Sequence, residues 1–365
     1  MKASSALNGF IAGHWAYDYE IRAKSRGRAV EHQHRVSMAD IARVAKVSPS
    51  TVSRALSGHP KVSDTARKLV LETADRLGYV RNLGAASLAS SKCDVIGLLI
   101  RDVGNEFYGG LASCVQYETD DTGLSLLLAL SEDSLESQLS AVRNLLGHGV
   151  GGIIIASGRI SSQTADYAAK FVPTVVLATG YDMPSFSSVR IDPRCEGSLA
   201  RRVVEQGHKK VAVTASADVL ASALHARTAN FLTGLVVAGA QATILSLPSH
   251  IEDVIGAEVD KAIDSGVTAI MAGNDSIALS ILEHLDAIGV SCPEYVSVTG
   301  FDGVGTFRSP LLGLTTMEQP VGELARAAVS LMKDLLDNDS GQPHQVLVDG
   351  KFVVGRTLGP VRSEQ

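Results

Sequence analysis

Beyond residue 93 the chain alternates short apolar runs with helix-length amphipathic stretches, and this alternation limits the possible folds most sharply. The apolar runs fall at 94–100, 124–130, 152–156, 174–179, 210–215, 242–247, 269–273 and 296–301, with helical stretches of 10–18 residues between most of them. Parallel strands cannot be joined by a hairpin and need a crossover, usually a helix. Repeated strand–helix alternation therefore predicts parallel α/β sheets. Eight such strands exceed a comfortable single sheet, so two doubly wound lobes are expected. A ligand would bind in the crevice outside the carboxyl ends of their strands. The longest apolar runs, Val95 to Ile100 and Leu126 to Leu130, are strand-sized. A membrane-spanning helix needs about 20 apolar residues, so no membrane span is expected. The cysteines at 93, 114, 195 and 292 have neither metal-ligand nor CxxC spacing, which points to a reduced cytoplasm and to no metal site.

The first quarter differs in charge and texture. Residues 1–92 carry 15 Lys and Arg against 7 Asp and Glu, whereas residues 93–365 carry 18 against 32. A basic end on an acidic body suggests that this end meets a polyanion. Residues 1–35 show no period and place basic residues at Arg22, Lys24, Arg26, Arg28 and Arg35. They read as a disordered basic arm or a misassigned start. From Val36 the signals become local and strong. Ser37 with Asp40 resembles a capping box, and Ile41, Ala42, Val44 and Ala45 follow at helical spacing. Ser48 and Pro49 end one helix and open another, since a hydroxyl caps orphan amides and proline at the first helical position loses only an orphan. Ser63 caps a third helix that Gly78 ends. Three helices with one tight turn form a helix-turn-helix candidate. Its short second helix turns Ser50, Thr51, Ser53 and Arg54 outward, and these side chains suit base edges in a major groove. An ordinary three-helix domain would show the same pattern.

Val36-Ser-Met-Ala-Asp-Ile-Ala-Arg-Val-Ala-Lys-Val-Ser-Pro-Ser-Thr-Val-Ser-Arg-Ala-Leu-Ser-Gly58 resembles the headpiece of the lactose-repressor (LacI/GalR) family of bacterial transcription regulators. The likeness continues, in order, through Val62-Ser, Leu77-Gly-Tyr, Ile96-Gly-Leu, Asn105 with Phe107, Gly207-His-Lys-Lys, Asn274-Asp, Gly300-Phe-Asp and Leu314-Thr-Thr, covering about residues 36–358. The resemblance implies a helix-turn-helix domain at 36–81, a hinge helix at 82–92 and an effector-binding core at 93–365. That core resembles periplasmic sugar-binding proteins, with lobe one at about 93–190 and 319–345 and lobe two at about 191–318 and 346–362. On DNA the implied contacts are Pro49, Ser50, Thr51, Ser53 and Arg54, phosphate contacts from Lys61 and Arg81, and the hinge positions Asn82, Ala85 and Leu88. Leu88 would wedge into the minor groove, where an apolar side chain unstacks a base step and bends the duplex. In the core the resemblance implies effector contacts from Phe107, Tyr108, Arg227, Asn274 and Asp302.

The chain also departs from the family pattern. Arg81 replaces a usual proline, and Gly84 weakens the hinge helix by up to about 1 kcal/mol relative to Ala. Ala178-Thr179 stand where many relatives have an acidic or amide residue followed by arginine. Asn230 replaces a glycine, and Gly303 a second aspartate. The implied effector is a sugar or sugar derivative, with a nucleoside or purine open beside it. With no leucine-heptad tail after Val354-Gly-Arg356, a homodimer on a pseudo-palindromic operator is the expected assembly. A secreted solute-binding protein would need a signal and no helix-turn-helix. An enzyme would need a catalytic motif, and GxSxG, HExxH and a Walker loop are all missing from the sequence. The sequence thus predicts a ligand-responsive repressor of catabolic or transport genes, without catalytic residues or cofactor. Asp275 reads as a helix cap and His208 as structural.

Overall fold

The computed structural model describes residues 36–80, 93–180, 183–247, 255–338 and 342–361. The 1–35 arm, Arg81 and the hinge positions Asn82, Ala85 and Leu88 lie outside these residues. The chain divides into two compact units, Met1–Asn82 and Leu83–Gln365.

The first unit is built by its caps. Helix α1 spans Met38–Ala45, α2 Pro49–Leu56 and α3 Asp64–Leu77. At α1 the box is complete: the Ser37 N–H donates to Asp40 Oδ2 at 3.0 Å and the Asp40 N–H donates to Ser37 Oγ at 3.3 Å. Lys46 closes α1 in the left-handed region at φ 53°, and Gly78 closes α3 at φ 68°. A chain reversal at α1 is thus made without glycine, at some backbone strain. Ile41, Val52 and Val70, one from each helix, are fully buried against one another's cluster, with Ala42, Ala55, Val62 and Ala74 around them. Leu56 and Leu77 are only partly buried at its edge. Each fully buried aliphatic contributes about 1.5–3 kcal/mol, so this small core rests on few side chains.

The second unit holds two sheets. In the first, β1 (Val95–Ile100), β2 (Ser125–Leu130), β3 (Gly152–Ala156), β4 (Thr174–Leu177) and β5 (Ser187–Ile191) alternate with α4 (Glu106–Asp120), α5 (Leu135–Gly147) and α6 (Ser162–Ala169). The chain then crosses into α7 (Arg194–Glu205), β6 (Lys210–Ser216), α8 (Ser222–Val237), β7 (Gln241–Leu247), α9 (Ile255–Asp264), β8 (Ala269–Met271), α10 (Asp275–Ala287), β9 (Ser297–Asp302), a 3-10 turn (Gly305–Arg308) and β10 (Thr315–Glu318). It returns through α11 (Val321–Asp337) and β11 (Gln345–Val348), and crosses once more to β12 (Lys351–Val353). The strand orders are β11-β5-β4-β3-β1-β2 and β12-β10-β9-β8-β6-β7. All pairings are parallel except β10 with β12. This is the α/β, doubly wound, two-lobed architecture expected.

Four strands, β5, β10, β11 and β12, were not among the expected runs. They have only three to five residues, and β5, β10 and β12 are rich in Ser, Thr or charge, so apolar periodicity does not mark them. The last crossing also falls later than residue 345. Val346 and Val348 complete the first sheet against β5, and the chain turns at Asp349-Gly350. A side chain at Gly350 would sit 3.0 Å from the Glu318 carbonyl and 3.2 Å from Cys195 Sγ, so glycine is what allows the chain to pass there.

Candidate functional site

In the first unit the candidate is α2. Pro49, Ser50, Ser53 and Arg54 are exposed and Thr51 is half-buried, while Val52 and Ala55 face inward. The helix contains no acidic residue. Ser48 Oγ accepts the Thr51 N–H at 3.1 Å and lies 2.8 Å from the hydroxyls of both Ser50 and Thr51. The cap therefore fixes the hydroxyls expected to face DNA, leaving each a further bonding site for a base edge or phosphate. Arg54 carries the one strong donor fork on this face, matched to guanine O6 and N7. Lys61 is exposed in the following loop, where its backbone N–H donates to His59 Nδ1 at 3.2 Å.

In the second unit the expected effector residues line one cleft between the two sheets. Phe107 and Tyr108 come from the first turn of α4, which Asn105 opens by accepting their N–H groups at 3.1 and 3.3 Å. Phe107 is only 6% exposed and is also part of the first lobe's core. It presents an edge to the cleft and packs against Tyr108 at 5.2 Å between ring centres. The Tyr108 hydroxyl accepts the Gly158 N–H at 2.9 Å, and burial pushes its pKa up.

From the second lobe come Arg227 on α8, Asn274 before α10 and Asp302 at the end of β9. Arg227 donates to the Gly273 carbonyl, lies 3.7 Å from Asp302 Oδ1 and stacks its guanidinium 3.8 Å from the Phe301 ring centre. A stacked, carboxylate-paired arginine is held in one orientation with part of its fork directed at the cleft. Asp302 accepts the Gln319 amide N–H at 2.6 Å. Its carboxyl is pushed up to about 7 by burial, against the pull of Arg227 and with a further push from Asp275. Asn274 spends Oδ1 on the α10 cap, where it accepts the Ile277 N–H at 2.8 Å, and its amide N–H₂ is left for a ligand.

Asp275 is not the cap that the sequence predicts. It is buried, and it accepts the Gly303 N–H at 2.6 Å and the Thr316 hydroxyl at 2.6 Å. A side chain at Gly303 would meet Glu318 Cα at 2.6 Å, so the glycine at that position lets β9 and β10 approach closely. Among the described residues, the non-glycine residues with positive φ other than Lys46 both line this cleft: Ala178 at 60° and Asp302 at 129°. Such conformations cost about 1–3 kcal/mol each and cluster where function holds them.

Several cleft residues escaped sequence reasoning. Gln319 and Arg101 line it, as does Arg159, which pairs with Asp218 of the second lobe and, at 3.0 Å, with Asp133 of the first. Arg101 reaches the same Asp133 at 2.8 Å. Two further contacts tie the lobes. The Gly158 carbonyl accepts the Ala223 N–H and the Ser222 hydroxyl, each at 3.0 Å. The Glu106 carboxylate accepts the Thr306 N–H at 2.7 Å and its hydroxyl at 2.5 Å. The cleft is thus in a closed arrangement. Partners as far apart as 26, 59 and 200 residues leave no local signal to read.

Comparison with known proteins gives a consistent match. Residues 37–82 match the model for bacterial regulatory proteins of the lacI family, and residues 200–358 match that for the periplasmic binding protein-like domain. An HTH-type transcriptional regulator of Mycolicibacterium smegmatis is 30% identical over 376 residues, covering 91% of this chain and 99% of that protein. Catabolite control protein A of Priestia megaterium is 29% identical over 332 residues, covering 85% and 97%. The crystal structure of the lac repressor dimer bound to operator and the anti-inducer ONPF superposes with a TM-score of 0.77 at 24% identity, covering 89% of this chain and 100% of that one.

Proposed function

This chain belongs to the lacI family of bacterial regulatory proteins, and from that premise we propose that it is a homodimeric repressor whose DNA affinity is set by a sugar-like effector in the cleft of its core. Its role as a ligand-responsive, sequence-specific DNA-binding transcriptional regulator follows from the family. The finer reading is carried by one observation: Tyr108 from one lobe and Arg227, Asn274 and Asp302 from the other converge on a single cleft. A guanidinium, a carboxylate and an amide beside an aromatic ring are tools for hydroxyls on a ring-shaped ligand, and each buried polar group rejects ligands that leave it unpaired. We assign the cleft to binding and not to catalysis, with no cofactor. Catabolic or transport genes are the proposed targets, and the cytoplasm, at the nucleoid, the proposed location. Among the described residues no helix is long and apolar enough to cross a membrane.

The proposed division of labour follows the expected domains. Residues 1–35 are an accessory basic arm, and residues 36–81 read a half-site through Pro49, Ser50, Thr51, Ser53 and Arg54, with Lys61 and Arg81 on phosphates. Residues 82–92 are a hinge that uses Asn82, Ala85 and Leu88 on DNA, and residues 93–365 bind the effector. A dimer of such readers calls for a pseudo-palindromic operator.

A ligand changes DNA affinity only if it binds two core conformations unequally. The test begins with a thermal-shift screen of sugars, sugar phosphates and nucleosides on the full chain, where a ligand at about 100 times its Kd adds about 2.7 kcal/mol. Calorimetric titration of the hit with and without operator follows. A coupling of about 1–3 kcal/mol, equal in both directions, is expected. Identical ligand affinities in the two titrations would refute the repressor mechanism.

A further inference from the structure

Behind Arg227 and Gln319 lies a second, smaller space. It sits where the chain crosses between the lobes, bordered by Gly180, Pro193, Glu196, Arg227, Asn230 and Gln319. Arg227 and Gln319 border the effector cleft as well, so one arginine serves both spaces. Buried atoms of its walls with no hydrogen-bond partner include Glu196 Oε2, in a residue 4% exposed, and Arg227 Nε, in a residue 7% exposed, and Arg190, whose charge acts on Glu196, lines the space beside them. The Asn230 side chain bonds the Glu196 carboxyl, which gives the asparagine that replaces a glycine at this position a specific task. Buried groups of this kind are costly to leave unmade, and the space has room for a water-sized group.

Glu196 Oε2 and Arg227 Nε differ in kind. The arginine N–H can only donate, while a carboxylate oxygen accepts. A cation in the chamber would leave the Arg227 Nε–H unpaired and face the guanidinium groups of Arg227 and Arg190. An anion would face the carboxylate. A hydroxyl satisfies both at once by accepting from one and donating to the other. We propose that this hinge-side chamber binds a single hydroxyl group, bonded to Arg227 Nε and Glu196 Oε2, and that Glu196 is thereby a specificity-determining residue behind the effector site. The hydroxyl belongs either to a buried water or to the effector itself. Burial pushes the Glu196 carboxyl up to about 7. Near neutrality it therefore offers an acceptor or a donor, and a hydroxyl matches either form. The inference rests on reading the neighbouring cleft as the effector site, but the chamber can be tested separately.

The experiment is crystallography of the full chain, first without additive and then with D-glucose, D-galactose or D-ribose. Without sugar, density for one oxygen is expected within about 3.2 Å of both Glu196 Oε2 and Arg227 Nε. In a sugar complex, an unchanged oxygen identifies water as the source, and replacement by a sugar hydroxyl identifies the effector; both support the chamber. An empty chamber, or Glu196 Oε2 bonded directly to Arg227 Nε, overturns it. Glu196→Leu should lose the oxygen and Glu196→Gln should keep it; an oxygen retained on Arg227 in the leucine variant overturns the role of Glu196. Should the leucine variant fail to fold, the wild-type and glutamine crystals still decide. Where a sugar hydroxyl fills the site, Glu196→Leu should weaken that sugar about 10- to 100-fold by calorimetry. Failure of every sugar to bind counts against the effector reading alone, since the additive-free crystal judges the chamber.

Discussion

Asp302 couples the chemistry of the cleft to the stability of the fold, and Asp302→Asn separates the two. A carboxyl at about 7 inside the protein and 3.8 outside it ionises in the cleft only at a cost. At 1.36 kcal/mol for each pH step that cost is about 4 kcal/mol. The side chain retains 15% exposure through the cleft mouth, so solvent screening lowers the expected figure to about 2–4 kcal/mol. The sign follows from proton counts. Between pH 4 and 7 the folded state holds a proton that the unfolded chain has lost. Wild-type stability therefore falls as pH rises through this window and levels off above about 7. Asparagine has the shape of the neutral acid, carries no charge to desolvate and tolerates positive φ better than most residues. The variant should therefore gain on wild type from pH 4 to 7 and lead by about 2–4 kcal/mol at pH 8.5. Glu196, also at about 7, leaves part of the wild-type slope in both proteins, so the difference between the two curves is the quantity to read. Urea unfolding of the ligand-free chain at pH 4.5, 6 and 8.5 measures it. A variant less stable than wild type at pH 8.5 would mean that the Arg227 pairing outweighs burial, and the reasoning would fail. The same variant should lose the effector response, so that stability gained at this residue is function lost.

Arg54→Ala should weaken selected operator DNA by about 1–3 kcal/mol and relax preference at one base pair per half-site; equal weakening of random DNA in fluorescence anisotropy would remove Arg54 from base reading. Burial holds the His208 imidazole neutral, its nitrogens bonded to Thr268 and to the Gly359 carbonyl, and lowers its pKa. Unfolded chains then bind the extra proton first, so this residue should destabilise the core as pH falls below about 6.5, and a His208→Gln chain should show a shallower acid limb in thermal melts. Leu88→Ala should weaken operator binding and leave effector affinity of the DNA-free protein unchanged, as calorimetry would show. A chain starting at Val36 should melt at the temperature of the full chain, because the arm offers no periodic apolar face.

What could be read in advance was whatever the chain encodes locally. The caps at Ser37, Ser48 and Ser63 and the glycine stop at Gly78 act within four residues of their helices, and all four boundaries appear as expected. The long apolar strands are equally legible. The strands at 187–191 and 315–318 are not, because Ser187-Ser188 and Thr315-Thr316 become strand only through neighbours far away in sequence. Individual cleft residues were legible through the family motifs, while their partners were not. Asn274 and Asp275 show the limit well. They are adjacent polar residues before a helix, and local rules cannot decide which one caps it. The choice is made by Gly303 and Thr316, which supply Asp275 with donors from other strands.

The closed arrangement of the cleft bears on how an effector could act. The polar contacts joining the lobes, Glu106 to Thr306, Arg159 to Asp218 and Gly158 to Ser222 and Ala223, use protein groups alone. Closure therefore has its own favourable contacts before any ligand enters. An effector that fits this closed cleft would add only the difference between its affinities for the closed and open forms. Partly buried pairs such as Arg159–Asp218 contribute modestly after desolvation, so the two forms are expected to differ by a few kcal/mol at most, within reach of a small ligand. Glu106→Gln provides the test: it keeps side-chain size and removes the carboxylate that accepts both Thr306 donors. If the contacts bias the core toward closure, this variant should need more effector for half-maximal response without changing which ligands bind. An unchanged effector midpoint would mean that Glu106 and Thr306 meet only as a consequence of closure and do not help to set it.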